Sequence, residues 1–208
     1  MSRLTRQLKR NPPSKGGERL LIITEGTKTE PQYFNLLLLK YRISPKQVSI
    51  QAGSSSDPKL IIEEAKQLKR VNHADANKGR DAEYDEVWAV FDTEGMRPHL
   101  SQAIDQAGQN GIKLAISAPS FEYWLLLHYE LTTRYMCDAD EVIRELKDFM
   151  PDYDKGNSMR THNVIELTEQ ALKNAANVRK GQENLPEPFP LPSTTVDNLV
   201  RRIIGLKT

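Results

Sequence analysis

Short apolar segments alternate with amphipathic segments along the first two-thirds of the chain. Four segments have the length and the apolar or alternating character of strands, and they span 19–24, 47–52, 86–91 and 112–117. Helical spacing and helix-start signals predict helices at 31–42, from 58 to about 71, at 98–109 and at 119–128. Because strands and helices alternate, the sequence predicts an α/β fold with right-handed crossovers and a mainly parallel sheet, flanked by helices on both faces.

Local signals set the boundaries of the first two helices. Thr29-Glu30-Pro31-Gln32 matches a capping box with proline in the first turn. Ser56-Asp57-Pro58 predicts the start of the second helix. The polar residues 73–83 lack apolar periodicity, so they predict an exposed connection to the third strand.

The strand signal fades after residue 130. Helical periodicity predicts further helices at 138–149, 161–178 and 196–206. Ser193-Thr194 is expected to cap the last of these helices, and the proline-rich segment 183–192 is expected to be an extended surface segment. The sequence therefore predicts a basic flexible arm (1–18), an α/β core (19–130) and a helical C-terminal extension (131–208).

Charge and composition limit the classes of function. Lys and Arg total 29 against 28 Asp and Glu, so the 208-residue chain has a formal charge of +1 and no overall basic field. Any binding of nucleic acid must therefore be local. Residues 1–19 carry six basic side chains and one acidic side chain. This arm is either a contact to phosphates or an ordinary solvated terminus, and its short length favours the second interpretation.

The single cysteine and the short apolar runs point to the same compartment. Cys137 cannot form an internal disulfide, which fits a reducing environment. Apolar runs such as 36–39 and 124–127 are far shorter than the roughly 18 residues of a membrane-spanning helix. We expect a cytoplasmic protein with no membrane partner.

Acidic residues follow three of the predicted strands. Glu25 follows the first, Asp92 and Glu94 follow the third, and Glu122 lies in the first turn of the helix after the fourth. In an open parallel sheet, ligands bind beyond the carboxyl ends of the strands, where these side chains would meet. Two carboxylates about 4 Å apart repel by about 4 kcal/mol at an effective dielectric near 20, so a cluster calls for a proton, a basic partner or a cation.

A hydrated divalent cation fits such a cluster. Oxygen ligands in a water-accessible cleft favour Mg²⁺ or Mn²⁺, with coordination positions left for water and a substrate phosphate. Glu25 could then act as a base or an acid in phosphodiester chemistry. The alternative is that these acids only cap helices and stabilise the helix macrodipole, and composition alone favours that alternative.

Other polar residues have both a functional and an ordinary interpretation. Glu122 either supports a metal or stabilises a helix dipole. Lys28, before a helix N-terminus, and Lys155, in a predicted turn, could each contact a substrate phosphate or be ordinary surface lysines. His128 faces another side of its helix than Glu122, which favours an ordinary hydrogen-bonded histidine.

Five ordered segments resemble one protein family. They are Glu25 to Phe34, Tyr84 to Glu94, Ser117 to His128, Tyr153 to Gly156 and Pro192 to Val196. Together they resemble the RloB-like family over nearly all of residues 19–206. The resemblance implies a Toprim-like fold, in which a Glu after the first strand and an Asp-x-Asp after the third hold Mg²⁺ for cutting or joining nucleic-acid strands. Glu25, Asp92 and Glu94 match these positions, although Glu94 is one methylene longer than the usual Asp.

The resemblance also implies a biological role. RloB-like proteins are similar to components of bacterial anti-phage loci, often beside an ABC-type or AAA-like ATPase, so we expect a Mg²⁺-dependent nuclease controlled by an ATPase partner. One alternative is a non-catalytic subunit that docks on the ATPase through its helical tail and basic arm. A weaker alternative is a synthetic Toprim enzyme such as a primase. A homo-oligomer formed through a sheet edge or the helical tail stays open.

Overall fold

A single mixed sheet organises the fold. The computed structural model describes residues 17–93, 100–154, 163–183 and 189–206. The strands within these ranges are β1 (Leu20–Thr24), β2 (Val48–Ala52), β3 (Glu86–Asp92), β4 (Ile112–Ala118) and β5 (Ser193–Thr194). They lie in the order β2-β1-β3-β4-β5, and β5 alone among them runs antiparallel. The prediction of an α/β fold with a mainly parallel sheet is confirmed.

Helices follow most of the strands and continue after the fourth. They are α1 (Thr29–Tyr41), α2 (Pro58–Asn77), α3 (Leu100–Gln109), α4 (Phe121–Leu126), α5 (Ala139–Leu146), α6 (Thr168–Gln182) and α7 (Val196–Ile204), with a 3₁₀ turn at Val164–Leu167. The prediction of a helical C-terminal part is confirmed. In the described parts of the chain, none of the helices combines the length and the apolar character needed to cross a bilayer.

Alternate side chains of each strand enter two separate cores, because successive residues of a strand point to opposite faces. Leu20 and Ile22 pack with Trp88 on the face that is covered by α1 and the C-terminal helices. Leu21 and Ile23 pack on the other face, in the core that includes residues of α2 and α3. Each fully buried large apolar side chain stabilises the fold by about 1.5–3 kcal/mol. The sheet is therefore a fixed platform with helices on both faces.

The C-terminal helices share a core with the sheet. Leu146 of α5, Leu172 of α6 and Val200 of α7 belong to the same apolar cluster as Leu20. The proposed boundary at residue 130 stays a prediction. Most of the basic arm, 1–16, and part of the proline-rich segment, 184–188, lie outside the described residues.

Helix α2 is longer than its sequence pattern indicates. The prediction of an exposed connection over 73–83 is wrong for its first part, because α2 continues to Asn77. Asn72 is buried within the helix, and its amide donates to the Ala82 carbonyl at 3.1 Å and accepts from the Tyr84 N–H at 2.9 Å. These hydrogen bonds allow a polar residue to be buried there, which apolar periodicity cannot reveal.

The predicted capping box at the start of α1 is wrong. Lys28 is the N-cap residue and makes no capping hydrogen bond through its side chain. Thr29 already lies in the helix, and the Glu30 carboxylate accepts a hydrogen bond from the Gly26 N–H at 2.8 Å. This changes the interpretation of Glu30, which lies beside the site described below.

Strand β5 differs from the sequence prediction, which gives Ser193-Thr194 only as a helix cap. Ser193 pairs with Ala118 and Thr194 pairs with Ser117. The Thr194 hydroxyl also accepts from the Val196 N–H at 3.2 Å, although Thr195 is the N-cap residue of α7. Two polar residues give too little pattern for a strand, and their pairing comes from the neighbouring edge of β4.

Candidate active site

An open pocket of about 230 Å³ lies at the carboxyl ends of β1, β3 and β4. Its lining residues are Glu25, Gly26, Thr27, Lys28, Thr29, Glu30, Asp92, Phe121 and Glu122. Four of these side chains are carboxylates. We call this pocket the acidic pocket. Three of its four carboxylates, Glu25, Asp92 and Glu122, are acids that the strand-end pattern predicts.

The register of the sheet brings Glu25 beside Asp92. Thr24, the last residue of β1, pairs with Val90, and the Glu25 N–H donates to the Val90 carbonyl at 2.8 Å. The Glu25 side chain then reaches forward along β3, where its Oε2 accepts from the Asp92 N–H at 2.9 Å. Two neighbouring parallel strands therefore fix the position of the Glu25 carboxylate.

Glu30 is a member of the acidic pocket that the strand-end pattern does not predict. It is 5% exposed, and its carboxylate lies against the backbone of Gly26. A Cβ at position 26 would come within 2.6 Å of the Glu30 Cδ, so a side chain at position 26 would displace Glu30 from its present position. Burial raises the pKa of Glu30, and the charges of Glu122 and Glu25 add to this rise. An acid in the first turn of α1, directly after the first strand and its turn, is the signal that could have indicated Glu30.

Glu122 enters the acidic pocket from the first turn of α4. Its side chain is buried, at 3% exposure, and its Oε1 accepts a hydrogen bond from the Tyr153 hydroxyl at 2.9 Å. The sequence pattern predicts no role for Tyr153, because a contact between residues 31 positions apart leaves no periodic pattern. Glu122 is therefore a buried carboxylate of the pocket, and its support of a metal stays a prediction.

Burial, followed by mutual repulsion of the carboxylates, shapes the electrostatics of the pocket. Burial raises the pKa of Asp92 well above its usual value, and the charges of Glu30, Glu122 and Glu25 raise it further, in that order. A hydrogen bond from the backbone of Phe121 opposes the rise only in part. The ionised cluster is therefore under strain that a cation would relieve. Carboxylate oxygens at an open pocket are the donors that Mg²⁺ and Mn²⁺ prefer, so the residues present fit such an ion in donor type and charge.

The spacing of the pocket carboxylates is wider than that of a closed coordination sphere. Within the described ranges, one group brings three potential ligand atoms within 4.8 Å of one another, and it is Cys137, Asp138 and Glu141, outside the pocket. That group is explained by the start of α5, because Asp138 accepts from the Glu141 N–H and Glu141 accepts from the Cys137 N–H. Glu94, the predicted third metal ligand, lies outside the described residues. The set of Glu25, Asp92 and Glu94 therefore stays a prediction.

The remaining predicted site residues have different outcomes. Lys28 is exposed and lines the acidic pocket at the start of α1. Lys155 lies outside the described residues, so its role in binding substrate stays a prediction. His128 is buried. Its Nε2 forms a hydrogen bond with the Tyr33 hydroxyl at 3.2 Å, and its Nδ1 forms one with the Trp124 carbonyl at 2.9 Å. Its interpretation as an ordinary hydrogen-bonded histidine is confirmed.

Comparison with known proteins supports the resemblance that the sequence motifs indicated. A family model described as RloB-like protein matches residues 20–203. No match to the chain is found among curated proteins or among solved structures. The family match covers the strands that carry the acidic pocket and the helices that follow them.

Proposed function

The chain belongs to the RloB-like protein family, and on this basis we propose that it is a metal-dependent nuclease that cleaves phosphodiester bonds of nucleic acids. The proposal includes a Toprim-like arrangement of the catalytic acids. One observation carries it: four carboxylates line a single open pocket at the carboxyl ends of three neighbouring strands. Carboxyl ends of this kind are where α/β folds bind their ligands.

Glu25, Asp92 and Glu94 are the proposed ligands of Mg²⁺ or Mn²⁺, with Glu122 in support. When bound, such an ion would lower the pKa of a bound water and neutralise negative charge that develops on the phosphate. Glu25 is the proposed base or acid, because its carboxylate is fixed against β3 by the Asp92 N–H. Lys28 is the proposed phosphate contact at the edge of the pocket, and Lys155 is proposed as a second.

The proposed biological role rests on the family. We propose a cytoplasmic anti-phage effector whose cleavage of nucleic acid is controlled by an ABC-type or AAA-like ATPase partner. Control by a partner fits a chain with no overall basic field, because its own affinity for nucleic acid would depend on few local contacts.

A second candidate function is a non-catalytic subunit of the same kind of complex. It is favoured by the spacing of the four pocket carboxylates, since among the residues with described positions they do not form a group of three ligand atoms within 4.8 Å. Such a subunit would dock on the ATPase and would show no cleavage of its own. It predicts co-purification with the ATPase and an unchanged complex when Asp92 is replaced.

The test is cleavage of labelled DNA and RNA, single-stranded and double-stranded, by the chain alone and with a candidate ATPase. Each reaction is run with Mg²⁺, with Mn²⁺ and with EDTA. We expect cleavage that requires the metal and is lost in Asp92→Asn, whose shape is nearly that of the wild type. Asp105→Asn, an exposed acid on α3, is the matched control and should cleave as the wild type does. Cleavage by Asp92→Asn at the wild-type rate would rule out the catalytic assignment.

A further inference from the structure

Tyr153 contacts a carboxylate of the acidic pocket, although it is not one of the lining residues. It follows α5 in the chain and is 4% exposed. Its hydroxyl donates to Glu122 Oε1 at 2.9 Å, and both partners are buried. The bond joins the segment after α5 to the first turn of α4, so a residue of the C-terminal helical region contacts a carboxylate of the pocket.

The chemistry of this contact allows one direction of donation. The Tyr153 O–H donates and a carboxylate oxygen of Glu122 accepts, in a contact between two buried groups. Hydrogen bonds to a charged acceptor are stronger than those between neutral groups, and they fix the orientation of the acceptor.

We infer that Tyr153 is a positioning residue of the acidic pocket, which orients the Glu122 carboxylate and thereby strengthens the binding of a divalent cation. The inference rests on the proposed function, since it concerns the same site. A glutamate side chain has three rotatable bonds, and ordering it costs free energy that a preformed hydrogen bond removes from the binding step. Partners that orient metal-site residues typically change metal affinity by about 10- to 100-fold.

The chain offers a matched control for the removal of this hydroxyl. Tyr123 lies next to Glu122 in α4, is 0% exposed and donates to the Thr132 carbonyl at 2.7 Å. Tyr153→Phe and Tyr123→Phe therefore each remove one buried hydroxyl, and with it the hydrogen bond to Glu122 or to Thr132, respectively. The hydrogen bond that Tyr123→Phe removes has a backbone carbonyl as its acceptor, not a pocket carboxylate.

The experiment is calorimetric titration of Mn²⁺ into the full chain, with the melting temperature of the metal-free protein measured in parallel. We expect Mn²⁺ to bind about 10- to 100-fold more weakly to Tyr153→Phe than to the wild type. Tyr123→Phe should bind within about twofold of the wild type, although both variants lose stability. In a Glu122→Gln background, Tyr153→Phe should change the affinity by less than about twofold, because the effect is transmitted through Glu122.

The outcomes separate this inference from the proposed function. If the wild type binds Mn²⁺ and Tyr153→Phe binds it equally well, the positioning role is wrong and the metal site stands. An equal loss in Tyr123→Phe, or a full additional loss in the Glu122→Gln background, also contradicts the role. If Tyr153→Phe does not fold, wild-type affinity in Glu122→Gln alone overturns the inference. If the wild type does not bind Mn²⁺, the proposed function fails and the inference fails with it.

Discussion

The backbone N–H of Asp92 donates a hydrogen bond to the Glu25 carboxylate at 2.9 Å. This bond crosses from β3 to the residue after β1, so the two acids are held together by the pairing of neighbouring strands. Acids held in this way cannot separate to reduce their repulsion. Their repulsion therefore lowers the stability of the fold, as is common at sites that serve a function.

Replacing Asp92 should stabilise the metal-free protein. Burial and three neighbouring carboxylates raise its pKa, so the ionised form at neutral pH opposes folding. Asp92→Asn removes this charge, and we expect its melting temperature in EDTA to exceed that of the wild type. Each gain of about 1 kcal/mol corresponds to a rise of roughly 2–4 °C.

The same variant should respond differently to metal. Millimolar Mn²⁺ is expected to raise the melting temperature of the wild type and to leave that of Asp92→Asn nearly unchanged, because only a protein that binds the ion is stabilised by it. Asp105→Asn should behave as the wild type does with and without Mn²⁺. A lower melting temperature of Asp92→Asn in EDTA would show that the repulsion is already compensated.

A side chain at position 26 should damage the acidic pocket. Gly26→Ala places a Cβ within 2.6 Å of the Glu30 Cδ, so Glu30 must leave its hydrogen bond with the backbone at position 26. We expect a loss of about 1–3 kcal/mol in the free energy of unfolding. Urea denaturation measures this loss. Gly108→Ala, on α3, is the control, because its Cβ meets nothing within 4 Å and should be neutral or stabilising. Equal stabilities of the two variants would contradict the packing of Glu30 on Gly26.

The buried His128 should make the protein sensitive to acid. Burial lowers its pKa to about 4, whereas an unfolded histidine titrates near 6.5. Between these values the unfolded chain binds more protons than the folded chain, so stability falls as the pH decreases through this window. The contribution of this one group is on the order of 3 kcal/mol when the pH reaches 4.

A non-titrating residue should remove this part of the pH dependence. His128→Gln is expected to be less stable at pH 7, because it loses packing, and to lose less stability than the wild type between pH 7 and pH 4.5. Urea denaturation at the two pH values measures both. A slope in His128→Gln equal to that of the wild type would contradict the assignment.

Lys28 should contribute locally to nucleic-acid affinity. Lys28→Gln removes one exposed positive charge at the acidic pocket, and we expect weaker binding with a salt dependence smaller by about one phosphate contact. Fluorescence anisotropy with labelled single strands at several salt concentrations measures it. Lys78→Gln, after the far end of α2, is the control. An equal change in both variants would indicate only the effect of net charge.

Much of the fold follows from short-range patterns in the sequence. β1, β3 and β4 are nearly continuous apolar segments, which is the pattern of strands that are buried on both faces. The carboxyl ends of parallel strands lie at one edge, so the meeting of Glu25 and Asp92 follows from the strand pattern alone. Strand β5 could not be predicted, because two polar residues become a strand only through their pairing with β4.

Two contacts of the acidic pocket have no counterpart in the sequence pattern. Glu30 occupies a variable position of the apparent capping motif, and its place in the pocket follows from its contact with Gly26. Tyr153 meets Glu122 because the segment after α5 returns to α4, which is a tertiary contact between distant positions. Patterns of three or four residues cannot encode either relationship.

The most direct test of the account is calorimetric titration of Mn²⁺ into the metal-free wild type and Asp92→Asn, which needs no knowledge of the substrate. We expect saturable binding to the wild type and at least about tenfold weaker binding to the variant, because Asp92 is surrounded by the other three pocket carboxylates. No saturable binding to the wild type, or equal affinities in the two proteins, would contradict it.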